Sequence, residues 1–215
     1  MSLGTLISGY VRGLSPANYG EGEGLLAITN RGDLLVAQGM SPKASMVRLG
    51  DSWSCQIATG SAFTHVAGMP TTRAELVLYN GEPSTGKSYI IDSAWWFALT
   101  SITAASGGTL ISQVAAAAAP TDDVAQLINS PIGKVYGGRA KRAVAATTMT
   151  ANKWSVLNSM QAGAAVSIGV GLQAEVNGGI ILPPGATLGL NVVVGTAIGT
   201  GLIGVSWHEA QLRIN

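Results

Sequence analysis

From residue 51 onward, polar and apolar residues alternate in short runs and form few helical stripes. Trp53, Cys55 and Ile57 alternate with Ser52, Ser54 and Gln56, the period-2 pattern of a half-buried strand. Near the other end, Val205, Trp207 and Glu209 alternate with Ser206, His208 and Ala210, which gives that strand two distinct faces. Further strand-like runs occupy residues 76–79, 88–97, 109–112, 143–148, 154–157, 165–172, 179–182, 188–194 and 202–212. Turn chemistry such as Asn177-Gly178-Gly179 and Pro183-Pro184-Gly185 separates them. Many short strands spaced in this way mark a sandwich or barrel, not alternating βαβ units. One short helix is expected: Thr121 suits an N-cap, Asp122 and Asp123 fill the first turn, Val124, Leu127 and Ile128 share a face, and Pro131 stops it. The alanine run 115–119 has helix propensity, but Pro120 halts it at once.

Residues 1–50 differ from the rest. Glycines at 4, 9, 13, 20, 22 and 24 punctuate the beginning, and the apolar residues between them keep no period. This composition predicts an extended N-terminal arm, followed by short strands at 25–28 and 34–37. The Arg31-Gly32-Asp33 between those strands is turn composition, not an adhesion signal. The expected division is therefore an arm with the first short strands over 1–50 and a β-sandwich domain over 51–215. The arm carries Leu3, Leu6, Ile7, Tyr10, Val11 and Leu14, too many apolar side chains for a solvated tail. Such a segment gains burial by ordering against a neighbour, which makes these its candidate interface residues.

Composition adds a constraint. Hydrophobic residues make up 47% and charged residues 11%, against roughly 25% charged in an ordinary soluble domain. Something other than water is therefore expected to cover much of the surface. A membrane helix needs about 20 continuous apolar residues, and Pro183-Pro184 with repeated glycines interrupts the uncharged stretch 177–208. No Lys/Arg-led export segment opens the sequence either. Other protein subunits are the expected partners. With 12 basic and 11 acidic side chains, a net charge of +1 supplies no global field to recruit nucleic acid or an anionic membrane. One local cluster stands out: Lys134, Arg139, Lys141 and Arg142 occur together without an intervening acid. They are candidates for electrostatic contact with phosphate or an acidic neighbour, against the blander alternative of a solvated loop. Cys55 is the sole cysteine, so no internal disulfide can form.

Gly81-x4-Gly86-Lys87-Ser88 fits the phosphate-loop pattern of nucleotide-binding proteins. That loop must open a helix whose N-terminus holds the phosphates, yet Ser88 is followed by β-branched and aromatic residues that read as a strand. Residues 76–79 and 88–97 are accordingly expected to form a hairpin at the centre of a sandwich, with Lys87 exposed in its turn. Asp92 lies too close to Lys87 to serve as the Mg²⁺-binding element. His65 and Cys55 lack metal-ligand spacing, the cap explains Asp122 and Asp123, and His208 and Glu209 face opposite sides of one strand. No catalytic residue, cofactor or metal is expected. Alternation also sends one of Trp95 and Trp96 inward, and an exposed partner would be what a carbohydrate-binding module needs.

Taken in order, the segments 31–38, Leu78-Tyr79-Asn80-Gly81 with Gly86-Lys87-Ser88, Tyr136-Gly137-Gly138-Arg139-Ala140, residues 181–186 and Val205-Ser206-Trp207-His208-Glu209 resemble structural proteins of tailed-bacteriophage virions. The resemblance covers about residues 30–212. It implies a mainly β, jelly-roll-like antiparallel β-sandwich with one short helix and an extended N-terminal arm. It further implies a non-enzymatic capsid decoration or cement protein, located in the virion, that associates with itself as a homotrimer and with the major capsid protein or other virion subunits. A head-fibre base or tail component is the alternative within that class, and a phosphate-loop protein using residues 81–88 is the alternative outside it.

Overall fold

The computed structural model describes residues 8–12, 21–25, 42–57, 63–99, 107–116, 128–149, 153–160, 171–194 and 200–212. The chain divides into two compact units, Met1–Leu49 and Gly50–Asn215. In the first unit, strands β1 (Ser8–Arg12) and β2 (Glu21–Leu25) pair antiparallel with Tyr10 opposite Glu23. Backbone groups of the arm that aperiodicity left unpartnered are thus satisfied locally over these residues. The same unit holds helix α1 (Pro42–Leu49). Pro42 suits a first helical position because its missing N–H has no helical acceptor. Arg48 in the last turn meets the negative end of the helix dipole. Gly50, at φ 74°, supplies the left-handed residue that commonly follows a helix.

The second unit is a sandwich of two antiparallel sheets. Its strands are β3 (Ser52–Gln56), β4 (Phe63–Thr64), β5 (Arg73–Asn80), β6 (Ser88–Ala98), β7 (Gly108–Ala116), β8 (Ile128–Asn129), β9 (Ala140–Thr148), β10 (Ser155–Met160), β11 (Gly171–Glu175), β12 (Ile181–Leu182), β13 (Ala186–Val194) and β14 (Thr200–Ala210). One sheet has the order β10-β7-β13-β5-β9. The other has the order β11-β6-β14-β3-β8, with β12 added beside β6 and β4 beside β14. The connectivity is jelly-roll-like: from β4 onward the chain changes sheet at every step except β9 to β10 and β11 to β12.

The inward faces follow the alternation in the sequence. Leu76, Leu78, Leu110, Leu188, Leu190, Val192 and Val194 come from one sheet and meet Trp53, Cys55, Tyr89, Ile91, Trp96, Ile203, Val205 and Trp207 from the other. Burying such side chains contributes about 1.5–3 kcal/mol each. A second cluster of Ala74, Val77, Ala115, Ala143 and Met149, with Trp154 packed against it, includes Val77 from between Leu76 and Leu78. It therefore lies on the opposite face of the five-stranded sheet. Met149 N–H donates to the Thr72 carbonyl at 2.8 Å and the Trp154 indole to the Thr71 carbonyl at 3.1 Å, which fixes those two side chains over that face.

Side chains bridge between strands of the two sheets, among them Asn80 of β5, which donates to the Leu182 carbonyl of β12 at 2.9 Å. Asn158 of β10 donates to the Gln173 carbonyl of β11 at 2.7 Å. Arg142 of β9 donates to the Gln56 carbonyl at the end of β3.

Two expectations need correction. β5 and β6 do not form a hairpin, because β5 pairs with β13 and β9 whereas β6 pairs with β14, β11 and β12. Residues 81–87 therefore arch from one sheet to the other. A hairpin and an arch share turn composition and strand flanks, and the choice depends on partners far away in sequence. Among the described residues the short helix is α1; of the helix expected from Thr121 to Pro131, Ile128 instead bridges to Cys55 as part of β8, and residues 117–127 lie outside the described residues. Of the strands expected at 25–28 and 34–37, Leu25 closes β2, and residues 26–28 and 34–37, with Arg31-Gly32-Asp33, lie outside the described residues.

Close packing at one glycine gives a test. A Cβ at Gly201 would stand 2.8 Å from His65 Nε2, 2.8 Å from the Phe97 carbonyl oxygen and against Trp96 Nε1, pushing apart the Trp96–His65 hydrogen bond of 2.7 Å. Gly201→Ala should destabilise the sandwich by about 1–3 kcal/mol in urea unfolding. Gly68→Ala, where nothing lies within 4 Å, should stay within about 0.5 kcal/mol. Equal effects from the two variants would refute this packing.

Candidate functional site

The arch at residues 81–87 is built around Asn80. Its buried amide donates to the Lys87 and Leu182 carbonyls, each at 2.9 Å, and its Oδ1 accepts from the Glu82 N–H at 3.0 Å. The Asn80 carbonyl accepts from Gly185 N–H at 2.8 Å, so one residue ties the arch to the Pro183-Pro184-Gly185 turn. Gly185 has φ 82°, a conformation that favours glycine. Gly86 N–H donates to the Pro83 carbonyl at 2.6 Å, and Ser88 opens β6, not a helix. The backbone thus lacks the helix N-terminus that a phosphate loop uses.

Lys87 is not the exposed turn residue expected from sequence. Its ammonium lies 3.2 Å from Asp51 Oδ1 and 3.5 Å from Glu209 Oε2, with its side chain 42% exposed and that of Glu209 5%. Glu209 points inward from β14, where Tyr136 donates to its Oε1 at 2.8 Å. The Tyr136 oxygen accepts from Ala140 N–H at 2.9 Å and lies 3.2 Å from the Tyr89 hydroxyl. Since the Tyr136 proton is committed to Glu209, Tyr89 donates in that last contact. Trp53 and Trp207 surround the group, with Trp53 edge-on to Tyr136 at 4.7 Å and Trp207 stacked on Tyr89 at 5.9 Å.

These surroundings set the protonation equilibria. Burial raises the Glu209 pKa above the ordinary glutamate value, and the Tyr136 hydrogen bond and the Lys87 charge reverse only part of that rise. Desolvation by itself lowers the Lys87 pKa, but Glu209 and Asp51 outweigh it and hold the ammonium above its usual value. Burial also pushes up the Tyr89 and Tyr136 phenols. It pushes the Cys55 thiol to about 12 despite the nearby Arg142, so Cys55 is a core thiol of low reactivity.

The four clustered basic residues separate in space. Arg142 is buried and donates to the Gln56 carbonyl. Lys134 donates to the Gly50 carbonyl at 3.1 Å and sits 5.7 Å above the Trp53 ring. Arg139 and Lys141 line a cleft of about 300 Å³ together with Gly81 and Gly138. Among the candidate interface residues, Tyr10 and Val11 lie in β1, while Leu3, Leu6, Ile7 and Leu14 lie outside the described residues.

The outer face of β14 carries a second polar group that sequence spacing missed. His208 Nδ1 lies 2.9 Å from Asp92 Oδ1, and Ser93 and Ser206 share a hydrogen bond of 2.7 Å. A register shift between Ser206 and Trp207 leaves Asp92 as the extra residue on β6, which no local motif announces. The two hydroxyls bond to each other, and His208 has Asp92 as its sole polar partner among the described residues. This arrangement orients an imidazole but does not join it to a nucleophile. Trp96 is buried and donates to His65, whereas Trp95 is part-exposed on the outer face beside Gly204.

Comparison of the chain with protein-family models, curated proteins and solved structures found no match.

Two variants test the inner network. Lys87→Ala removes the counter-charge of a buried carboxylate, which costs about 3–5 kcal/mol in a fully buried pair. Because Lys87 is part-exposed and Glu209 can take up a proton, the expected loss at pH 7 is about 1–2 kcal/mol. That loss should shrink at acidic pH, and a change below 0.3 kcal/mol (about a surface-pair effect) would contradict the network.

Glu209→Gln tests the sign of the pH dependence. The folded state keeps a proton on Glu209 at pH values where the unfolded chain has released it. This contribution is therefore fully present below the ordinary value of 4.5 and is lost as pH rises through the raised Glu209 pKa. Denaturant midpoints measured from acidic to neutral pH should show wild type losing ground to Glu209→Gln as pH rises. The opposite trend would mean that Lys87 dominates the site. The raised Lys87 pKa has the same sign at the alkaline end, with stability lost as pH rises above 10.5 through that pKa.

Proposed function

We propose that this chain is a non-enzymatic structural protein that acts in an assembly of subunits, and that it serves as a decoration or cement protein of a bacteriophage virion. The first part rests chiefly on a folded sandwich of few charged residues that leaves large apolar side chains at its surface. Charged residues make up only 11% of the chain. Val135 is 87% exposed, Met69 and Val156 each 57%, and Ile132 53%. Single exposed apolar residues are ordinary, but together with so sparse a charge they favour subunit contacts over an isolated monomer.

The second part rests on the ordered resemblance of the segments around Asn80, Tyr136, Pro183 and Trp207 to virion structural proteins. Three copies is the proposed stoichiometry, by analogy of fold. The major capsid protein or another virion subunit is the proposed partner. The arch lysine favours a structural role over nucleotide binding, because Asp51 and Glu209 already hold its ammonium.

Light scattering on the full chain should give the mass of a trimer at micromolar concentration. A stable monomer would refute the assembly proposal. Deletion of residues 1–49 should leave a cooperatively melting sandwich but reduce co-sedimentation with particles. Undiminished co-sedimentation would place attachment elsewhere.

A further inference from the structure

We infer that the cleft between the 81–87 arch and the start of β9 receives a carboxylate side chain from a neighbouring protein subunit. This rests on the proposal that the chain works in an assembly. The cleft has a volume of about 300 Å³ and is lined by Gly81, Gly138, Arg139 and Lys141. That size is at the lower end for small-ligand pockets and suits a side chain.

Its two cations differ from the other basic side chains around them. Lys87 pairs with Asp51 and Glu209. Lys134 and Arg142 donate to backbone carbonyls. The Arg139 guanidinium and Lys141 ammonium have no such partner among the described residues. Glu82 Oε1 accepts from the Arg139 backbone N–H at 3.2 Å.

The walls of the cleft are fixed. A Cβ on Gly81 would collide with the Arg139 carbonyl oxygen. One on Gly138 would collide with the Tyr136 hydroxyl and stand 3.1 Å from Glu209 Oε1. The inner network thus backs the cleft, and a wall that does not reorganise lowers the entropic cost of binding. An arginine fork beside a lysine matches the two oxygens of a carboxylate.

The choice of a protein partner over nucleic acid follows from scale. Nucleic-acid binding draws on several phosphate contacts spread along a basic surface, whereas the whole chain has a net charge of +1. The loop that leads into this cleft also carries Ile132 and Val135 at 53% and 87% exposure. Exposed aliphatic groups favour a protein surface, not a phosphate backbone.

The test compares the full-length wild type with Arg139→Glu/Lys141→Glu, and with Arg139→Gln/Lys141→Gln as the milder pair should reversal prevent folding. Melting curves establish folding. Binding of a hexaglutamate peptide, with hexalysine and a duplex DNA oligonucleotide as controls, is then measured by titration in low and moderate salt. Wild type should bind hexaglutamate in a salt-sensitive manner, and the folded variants should lose at least tenfold in affinity. Light scattering should show their subunit association weakened. Hexaglutamate binding that is absent, or unchanged in folded variants, overturns the assignment, as does preferential binding of the DNA. A wild-type monomer that binds hexaglutamate through these residues would sink the assembly proposal and leave the carboxylate site standing. An assembly indifferent to the substitutions, with no peptide binding, would do the reverse.

Discussion

Glu209 brings a carboxylate into the aromatic end of the sandwich core, and much of the local structure answers that cost. An isolated ion there would be expensive to desolvate. Lys87 from the arch, Asp51 before β3 and Tyr136 before β9 converge on the site from chain segments far apart in sequence. The arrangement also positions the arch: Lys87 approaches Glu209 while Asn80 at the other end binds the Leu182 carbonyl. Such a network favours one mutual arrangement of these segments, because any shift leaves buried polar groups unmet.

The same strand separates two chemistries. Glu209 faces the core and its neighbour His208 faces Asp92 on the outer surface, as alternation requires. Lys141 and Arg142 divide similarly on β9, with Arg142 turned to the Gln56 carbonyl and Lys141 lining the cleft. A cluster that looks like one basic patch in sequence therefore becomes a structural bridge and a separate open cleft. The buried basic group thus secures the fold, while Arg139 and Lys141 have no ion-pair partner among the described residues.

Local terms were legible along the chain. Alternation placed Trp53, Cys55, Val205 and Trp207 inward, β-branched flanks made residues 76–79 and 88–97 strands, and Asn-Gly-Gly and Pro-Pro-Gly marked real turns. It also put His208 and Glu209 on opposite faces. These features depend on backbone geometry and neighbours within a few residues, which a single sequence displays. Pro42 and Gly50 bracket α1 with the same kind of local signal, but the helix itself has no acid in its first turn to announce it.

Tertiary structure alone decided which strands pair, and so decided that residues 81–87 form an arch. It also decided that Lys87 meets Glu209, that Asp92 meets His208 across a bulge, and that Arg139 and Lys141 share a cleft. Each of these depends on side chains brought together from distant segments, while the local conformations of the alternatives are nearly the same. The free-energy differences between them come from long-range burial and charge pairing, which leave no periodic mark along the chain.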